Sequence, residues 1–90
     1  SDVSNKKINE TEFELNGRAE IDFLNEEFRL NLPLSEEYET LGGFIISETQ
    51  NIPKQGEVIR IGNFVITIKE VSNTKIEMVR VLLIEESSKL

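Results

Sequence analysis

Residues 57–84 read EVIRIGNFVITIKEVSNTKIEMVRVLLI and carry the clearest structural signal of the chain. Gly62 and Asn63 separate two runs rich in β-branched residues by two positions, which is the spacing of a tight β-hairpin. Glycine in first place favours a type II′ turn, and Gly-Asn is also allowed in type I′. A second turn is predicted at 72–75. The stretch therefore predicts a three-stranded antiparallel meander, with strands at 57–61, 64–71 and 76–84.

The last strand of this meander is apolar on both of its faces. Successive side chains of a strand point to opposite faces, so Val79, Val81 and Leu83 lie on one face, with Met78, Leu82 and Ile84 on the other. One face is predicted to meet the helices of the domain, and the other needs a second partner. We predict a dimer or domain-docking surface there, formed by Val65, Met78, Leu82 and Ile84. The alternative is that the first strand or the polar tail covers this face within the monomer.

A strand and a helix are predicted near the start of the chain. Residues 12–16 alternate polar and apolar side chains, as a half-buried strand does, and Gly17 follows in a turn. Ile21, Leu24 and Phe28 then recur at the spacing of one helix face. We predict a first helix over 20–28 that is stopped by 31–33.

A second helix is predicted over 41–49, with Thr40 as its N-cap. The order of elements is then β-α-α-β-β-β. This order predicts an α+β fold, with two helices packed on one face of a small antiparallel β-sheet and the first strand joining the edge of the meander.

Gly42 and Gly43 lie inside the second helix, where each is unfavourable by about 1 kcal/mol against alanine. Close approach of the helix backbone to another element would compensate, so we predict structural roles for both, with Gly43 facing the sheet or the first helix. A phosphate-cradling turn is the alternative, although no Lys or Ser/Thr follows at P-loop spacing. Gly56 and Gly62 are predicted to serve turns.

The 90 residues are enough for one domain with a modest core. We predict a disordered lead or linker end at 1–10, the folded domain at 11–85 and a frayed tail at 86–90. The net charge is −7, and residues 1–50 account for −8 of it, with 12 acids and 4 bases. Such an acidic chain argues against binding to nucleic acid.

The composition also excludes several kinds of chemistry. The chain has no Cys and no His, so it offers no thiolate nucleophile, no imidazole base and no Cys or His metal ligand of its own. We therefore predict no catalytic residues and no metal site. The longest apolar stretch is far shorter than 18 residues, so this segment is predicted not to insert into a membrane.

Three side-chain groups offer ligand-binding alternatives. Asp22, Glu26 and Glu27 on the first helix are suited to a hard cation, although we favour an exposed acidic helix face as their explanation. Tyr38 and the five Phe residues are suited to a planar ligand or to core packing. The cationic side chains of the meander are suited to a phosphate, an acidic partner or cross-strand pairing with glutamates; they are Arg60, Lys69 and Arg80.

A series of short motifs in a fixed order resembles the transporter-associated domain of the CorC/HlyC family. The match spans about residues 12–84. The motifs are Phe13-x-Leu15-x-Gly17, Ile21-Asp22-x-Leu24-Asn25, Tyr38-x-Thr40-Leu41-Gly42-Gly43, Ile52-Pro53-x-x-Gly56-Glu57, Phe64 and Ile76-x-x-Val79-Arg80-Val81.

This resemblance implies a cytoplasmic, C-terminal position in a membrane protein, after a transmembrane region and a pair of CBS domains. It further implies a link to magnesium and cobalt efflux or to hemolysin-like proteins. Its fold analogy with flavoprotein domains suggests FAD or an adenine nucleotide as ligand, but no residue here matches a flavin attachment site.

Two function hypotheses follow from the residues and the resemblance. The first is a non-catalytic regulatory or interaction domain of an ion transporter, with the CBS domains, the transmembrane region or a second copy as partners. The second is a small-molecule binding domain for FAD or an adenine nucleotide. An enzyme is disfavoured because no set of residues fills the roles of an active site.

Overall fold

The computed structural model describes residues 5–84. The predicted tail at 86–90 and the first four residues of the predicted lead lie outside this range. Five strands and two helices make up the described part. They are β1 (Lys6–Lys7), β2 (Glu12–Asn16), α1 (Ile21–Phe28), α2 (Leu41–Thr49), β3 (Val58–Ile61), β4 (Phe64–Val71) and β5 (Ile76–Leu83).

All five strands form one antiparallel sheet in the order β1-β2-β5-β4-β3. The predicted α+β fold with two helices and an antiparallel sheet is confirmed, as is the pairing of the first long strand with the edge of the meander. This pairing places β5 in the centre of the sheet, between β2 and β4. The sheet therefore ends at β1 on one side and at β3 on the other.

The β3–β4 hairpin forms as the sequence predicts. Ile61 lies opposite Phe64, so the loop consists of Gly62 and Asn63 alone. Gly62 has a positive φ of 58°. Asn63 is not among the non-glycine residues with positive φ in the described part, which are Arg29, Asn31 and Gln50. Positive φ at the first loop position alone is the signature of a type II′ turn.

The two helices cover one face of the sheet and enclose a single core. The inward side chains of β2, β4 and β5 are fully or almost fully buried there, together with the apolar faces of both helices. The core residues are Phe13, Leu15, Ile21, Leu24, Leu30, Leu32, Leu41, Phe44, Ile45, Phe64, Ile66, Ile68, Ile76, Val79 and Val81.

Local hydrogen bonds explain where each helix begins and ends. The Thr40 side chain accepts a hydrogen bond from the backbone N–H of Gly43, as an N-cap does, so α2 has the predicted bounds. Helix α1 ends at Phe28, as predicted, and the left-handed conformation of Arg29 ends it before the residues 31–33 that the sequence marks as a stop. Asn25 then binds both the N–H and the C=O of Leu32, which holds the following segment against the helix.

Strand β1 differs from the sequence-based expectation. Lys6 and Lys7 were expected to belong to a disordered lead at 1–10, but they pair with Glu14 and Phe13 of β2. The side chain of Asn5 also accepts a hydrogen bond from the N–H of Asn16. Two lysines show no periodicity, so the strand exists because β2 offers it a free edge rather than because of its own pattern.

Candidate functional site

The side of the sheet that faces away from the helices is referred to below as the outer face. Along β4 and β5 its side chains are half-buried or exposed, in alternation with the fully buried inward ones. Val58 on β3 is 60% exposed and Leu82 on β5 is 39% exposed. The outer face includes Lys6 on β1, Glu12 and Glu14 on β2, Met78, Arg80 and Leu82 on β5, Val65 and Thr67 on β4, and Val58 and Arg60 on β3.

Arg80 occupies the centre of the outer face. Its Nη1 donates to Glu12 Oε2 at 3.1 Å, and its Nη2 donates to Glu14 Oε2 at 3.5 Å. The strand register places Arg80 directly opposite Glu14. The expected cross-strand pairing with glutamates is thus confirmed for Arg80. The pairing offsets one of the two negative charges and occupies both terminal nitrogens of Arg80, while its buried Nε has no hydrogen-bond partner in the described residues.

An apolar strip lies beside this charged centre. Val65 is directly opposite Leu82, and it is half-buried like Met78 on the same side of the sheet. Ile84 follows the end of β5, where its N–H donates to the carbonyl of Asn63, and it lines a cleft of about 560 Å³. The structure thus brings Val65 and Leu82 of the predicted contact surface together, while Ile84 lies at the border of the face.

The other cations of the meander are not paired with glutamates in the described part. The Arg60 Nε donates to the backbone carbonyl of Gly62 at 3.0 Å, within its own hairpin. Lys69 is exposed.

The first turn of α2 does not form a phosphate cradle. All four of its backbone N–H groups already have partners inside the domain. Leu41 donates to Ala19, Gly42 to Gly17, Gly43 to the Thr40 side chain, and Phe44 to the Thr40 carbonyl. A helix N-terminus binds an anion through free N–H groups, so the structure favours the packing role of the two glycines.

Gly42, rather than Gly43, makes the predicted close approach to the sheet. A Cβ on Gly42 would lie 3.0 Å from the carbonyl oxygen of Gly17 and 3.5 Å from Cβ of Ile76. A Cβ on Gly43 would instead meet Tyr38 Cβ at 3.1 Å and the Thr40 hydroxyl at 3.3 Å. The expectation that Gly43 faces the sheet or α1 is therefore wrong, because its open side is turned toward the loop that precedes α2.

Gly56 and Gly62 have a conformational role only. Their φ angles are 89° and 58°, in the region that favours glycine. No atom lies within 4 Å of the position that a Cβ would take at either residue. Both residues therefore serve turns at the ends of β3.

Gly17 is the most constrained glycine, and sequence reasoning missed its role beyond a turn. A Cβ there would overlap the carbonyl oxygen of Ile76 and lie 2.8 Å from its carbonyl carbon. The N–H of Gly17 donates to Glu77 O at 3.0 Å, and its carbonyl accepts from Gly42 N at 2.8 Å. Gly17 is thus wedged between β5 and α2. Only its place in the ordered family motif marked it in the sequence.

The acidic residues of α1 do not converge on a cation site. Asp22, Glu26 and Glu27 are all exposed. Within residues 5–84, no group of three or more His, Cys, Asp or Glu side chains is placed to hold a metal ion. Of the two interpretations of these acidic residues, a cation site and an exposed helix face, the geometry supports the exposed helix face.

Four of the six aromatic side chains pack in two pairs. The rings of Phe13 and Phe28 meet edge to face with centroids 5.5 Å apart, and those of Tyr38 and Phe44 lie 5.4 Å apart at a tilt. Neither pair is parallel, so neither forms a stacked slot for a flavin or adenine ring. The described geometry therefore gives no support of its own to the FAD or adenine-nucleotide alternative.

Two titratable groups are perturbed by their surroundings. Burial raises the pKa of the Tyr38 hydroxyl, with smaller contributions from the charges of Glu48 and Glu37; this hydroxyl donates to the carbonyl of Pro33. The hydrogen bond from Arg18 Nη2, at 3.0 Å, lowers the pKa of Glu77, and a hydrogen bond with Ser72 lowers it further. Both groups have local structural partners, so neither perturbation indicates catalysis.

A family model described as the transporter-associated domain CorC_HlyC matches residues 6–85. The chain belongs to this family. The magnesium and cobalt efflux protein CorC of Buchnera aphidicola subsp. Acyrthosiphon pisum (strain APS) is 29% identical over 83 residues, and the match covers 92% of this chain. The chain spans only 28% of the length of that relative.

Solved structures of CorC_HlyC and hemolysin domains have the same fold. A transporter-associated domain CorC_HlyC from Nitrosomonas europaea is 25% identical with a TM-score of 0.79, over 92% of this chain and 99% of the other. A hemolysin domain from Enterococcus faecalis V583 is 29% identical with a TM-score of 0.75, over 90% and 98%. In residues 5–84 of this chain, neither helix has the length and apolar character needed to cross a bilayer.

Proposed function

We propose that this domain is a non-catalytic regulatory and interaction module of a magnesium or cobalt transporter, on the cytoplasmic side of the membrane. The family match supports the transporter context, and the efflux protein CorC supports the ions. The domain would couple the CBS domains of the same protein to its transmembrane region. Because the chain spans 28% of the length of its CorC relative, most of such a protein is available as a docking partner.

The observation that carries the interaction role is the composition of the outer face. The face bears the acids Glu12 and Glu14 together with the cations Lys6, Arg60 and Arg80, whereas the chain as a whole has a net charge of −7. Leu82 and Val58 remain exposed beside Val65. A nearly neutral face with exposed apolar side chains pays a smaller desolvation penalty on contact than an acidic one.

Glu12 and Glu14 would take part in docking through Arg80. The ion pairs tie the guanidinium of β5 to β2, and we propose that its hydrocarbon stem extends the apolar strip beside Met78 and Leu82. We propose that the CBS region of the same protein covers this strip, with Val65, Met78, Leu82 and Ile84 at the contact.

A binding measurement between the domain and the separately expressed CBS region of the same protein tests this proposal. Leu82→Glu is expected to weaken the affinity by tenfold or more, because it places a charge in the apolar strip. Leu34→Glu is the matched control: Leu34 is 66% exposed and lies in the α1–α2 connection, away from the outer face.

Both variants are expected to keep the melting temperature of the isolated domain within a few degrees, since both leucines are solvent-exposed. Equal affinities of the two variants for the CBS region, or no binding by the unmodified domain, would refute docking through the outer face.

A further inference from the structure

The two edges of the sheet are protected to very different degrees. Strand β1 closes one edge with only two residues, Lys6 and Lys7, and both side chains are exposed. Short edge strands with lysines resist pairing with other chains. Strand β3 closes the other edge and reads Val-Ile-Arg-Ile, with three β-branched apolar residues out of four. The β3 edge is therefore longer and more apolar than the β1 edge, although Arg60 and the β-bulge at Gly56 and Glu57 partly protect it.

The register shows which backbone groups of β3 remain open. Ile68 N donates to Glu57 O, whereas Ile68 O accepts from Gly56 N, so Gly56 and Glu57 together face Ile68 in a β-bulge, and the hydrogen-bonded side of the ladder begins at Glu57. Hydrogen-bonded and non-hydrogen-bonded pairs alternate along an antiparallel ladder. Ile59 and Ile61 therefore bond to β4, while the N–H and C=O of Val58 and Arg60 point away from the sheet. In residues 5–84, no hydrogen bond reaches these four groups.

We infer that two copies of this chain pair antiparallel through β3, about a two-fold axis at Ile59. The outward N–H and C=O groups of Val58 and Arg60 in one copy must bond to outward groups of the other copy. This condition restricts a symmetric pairing to three registers. One places Arg60 opposite Arg60 and sets like charges together. A second places Val58 opposite Val58 and leaves Arg60 opposite Gly56. The third places Val58 of each copy opposite Arg60 of the other.

The third register gives hydrogen-bond partners to the largest number of open backbone groups of β3. It allows all four open groups of each copy to take part, giving four backbone hydrogen bonds between the copies. It avoids opposing charges of the same sign, and it brings the two Ile59 side chains together on the inner side. Ile59 is half-buried at the rim of the core, so this contact extends the core across the two-fold axis.

This inference goes beyond the proposed function, since it requires no transporter partner, and a charge-swap pair at Val58 tests it. The Val58 side chain is 60% exposed, so both Val58→Glu and Val58→Lys are compatible with the fold. The register predicts that Val58→Glu lies opposite Arg60 and strengthens association relative to Val58→Lys. Two such pairs per dimer correspond to a difference in dissociation constant of about 2- to 30-fold.

General charge repulsion predicts the opposite order. Val58→Glu changes the net charge from −7 to −8, whereas Val58→Lys changes it to −6. Sedimentation equilibrium of the isolated domain up to several hundred micromolar separates the two mechanisms. Tighter association of Val58→Lys than of Val58→Glu, or monomers throughout, overturns the inference.

Engineered cysteines test the position of the axis independently, because the chain has no cysteine of its own. Ile59 lies in a non-hydrogen-bonded pair, where Cα atoms are about 4.5 Å apart, within the range of a disulfide. Ile59→Cys is therefore expected to form a covalent dimer under mild oxidation. In the same register, the two copies of Ile61 are offset by about 13 Å along the strands, so Ile61→Cys is the matched control. Equal disulfide yields from the two variants overturn the register.

Discussion

Replacing Gly17 by alanine is the sharpest test of how the helices are attached to the sheet. Gly17 lies between the start of β5 and the first turn of α2, bonded to Glu77 on one side and to Gly42 on the other. A Cβ at this position would overlap the backbone carbonyl of Ile76. A backbone group cannot change rotamer to make room, so the end of β2 and the start of β5 would have to separate.

The structure allows the size of this effect to be worked out. Added volume at a tightly packed site costs about 1–3 kcal/mol. Moving Gly17 also stretches its 2.8 Å hydrogen bond from Gly42, and such a bond contributes about 1 kcal/mol. We therefore expect Gly17→Ala to lower the free energy of unfolding by about 3 kcal/mol or more. A domain of this size has a total of roughly 5–13 kcal/mol.

Gly42→Ala is the matched comparison, since it adds the same methyl group on the opposite side of the contact. Its Cβ would lie 3.0 Å from the Gly17 oxygen, a shorter distance than ordinary contacts, which begin at 3.4 Å. The helix-propensity gain of about 1 kcal/mol offsets much of this strain. We expect a net cost below about 1.5 kcal/mol.

Urea unfolding followed by far-ultraviolet circular dichroism measures both variants, with an unchanged m-value as the check that the folded state is the same. Gly56→Ala reports the cost of a left-handed backbone alone, because no atom lies within 4 Å of its Cβ position. A Gly17→Ala variant within about 0.5 kcal/mol of the unmodified protein, or less destabilised than Gly42→Ala, would refute the close approach.

The two perturbed pKa values lead to opposite pH dependences. Tyr38 is the only tyrosine, so phenolate absorbance reports it alone; its midpoint should be higher in the folded than in the urea-unfolded chain, and Glu48→Gln should lower it. Because the folded pKa of Tyr38 is raised, the contribution of this residue to the free energy of unfolding is fully present below the ordinary tyrosine pKa. It is lost as the pH rises through the pKa of the folded state. Glu77 has a lowered pKa, so its stabilisation is present above the ordinary Glu pKa and is lost as the pH falls through the folded value. Glu77→Gln should therefore reduce the melting temperature near neutral pH and leave it unchanged in strong acid. Identical Tyr38 midpoints in both states, or a Glu77→Gln deficit that persists in acid, would contradict these assignments.

The local elements could be predicted from the sequence because each has a signal within a few residues. Thr40 caps α2 at the predicted position, and the Gly62-Asn63 loop forms the predicted turn. The role of Gly17 could not be predicted this way, because its constraint comes from Ile76 and Gly42, far along the chain. A glycine after a strand is compatible with many turns, and nothing in its neighbours distinguishes a turn from a contact between two backbones.

The two apolar faces of β5 have more than one physical cause. The sequence predicts that the second face needs a partner, and part of that need is met inside the domain. As the central strand, β5 has β2 and β4 on both sides, so Met78 and Arg80 are half-buried by the outer side chains of these neighbours. Leu82 remains 39% exposed even so. The part of the outer face left for a partner is therefore the strip from Leu82 toward β3.

The uneven distribution of charge along the chain corresponds to a separation of charge between two sides of the domain. The described part of the acidic segment 1–50 forms both helices and the β1–β2 side, whereas residues 51–90 have a net charge of +1, and their described part forms β3, β4 and β5. On the outer face, Arg80 offsets one of the two acids of β2, and Lys6 lies opposite Glu14. Like charges then repel close approach from the helix side, while the β3 edge and the Leu82 strip carry little net charge and expose apolar side chains. Association through the sheet side therefore meets the least electrostatic repulsion, and both proposed contacts lie there.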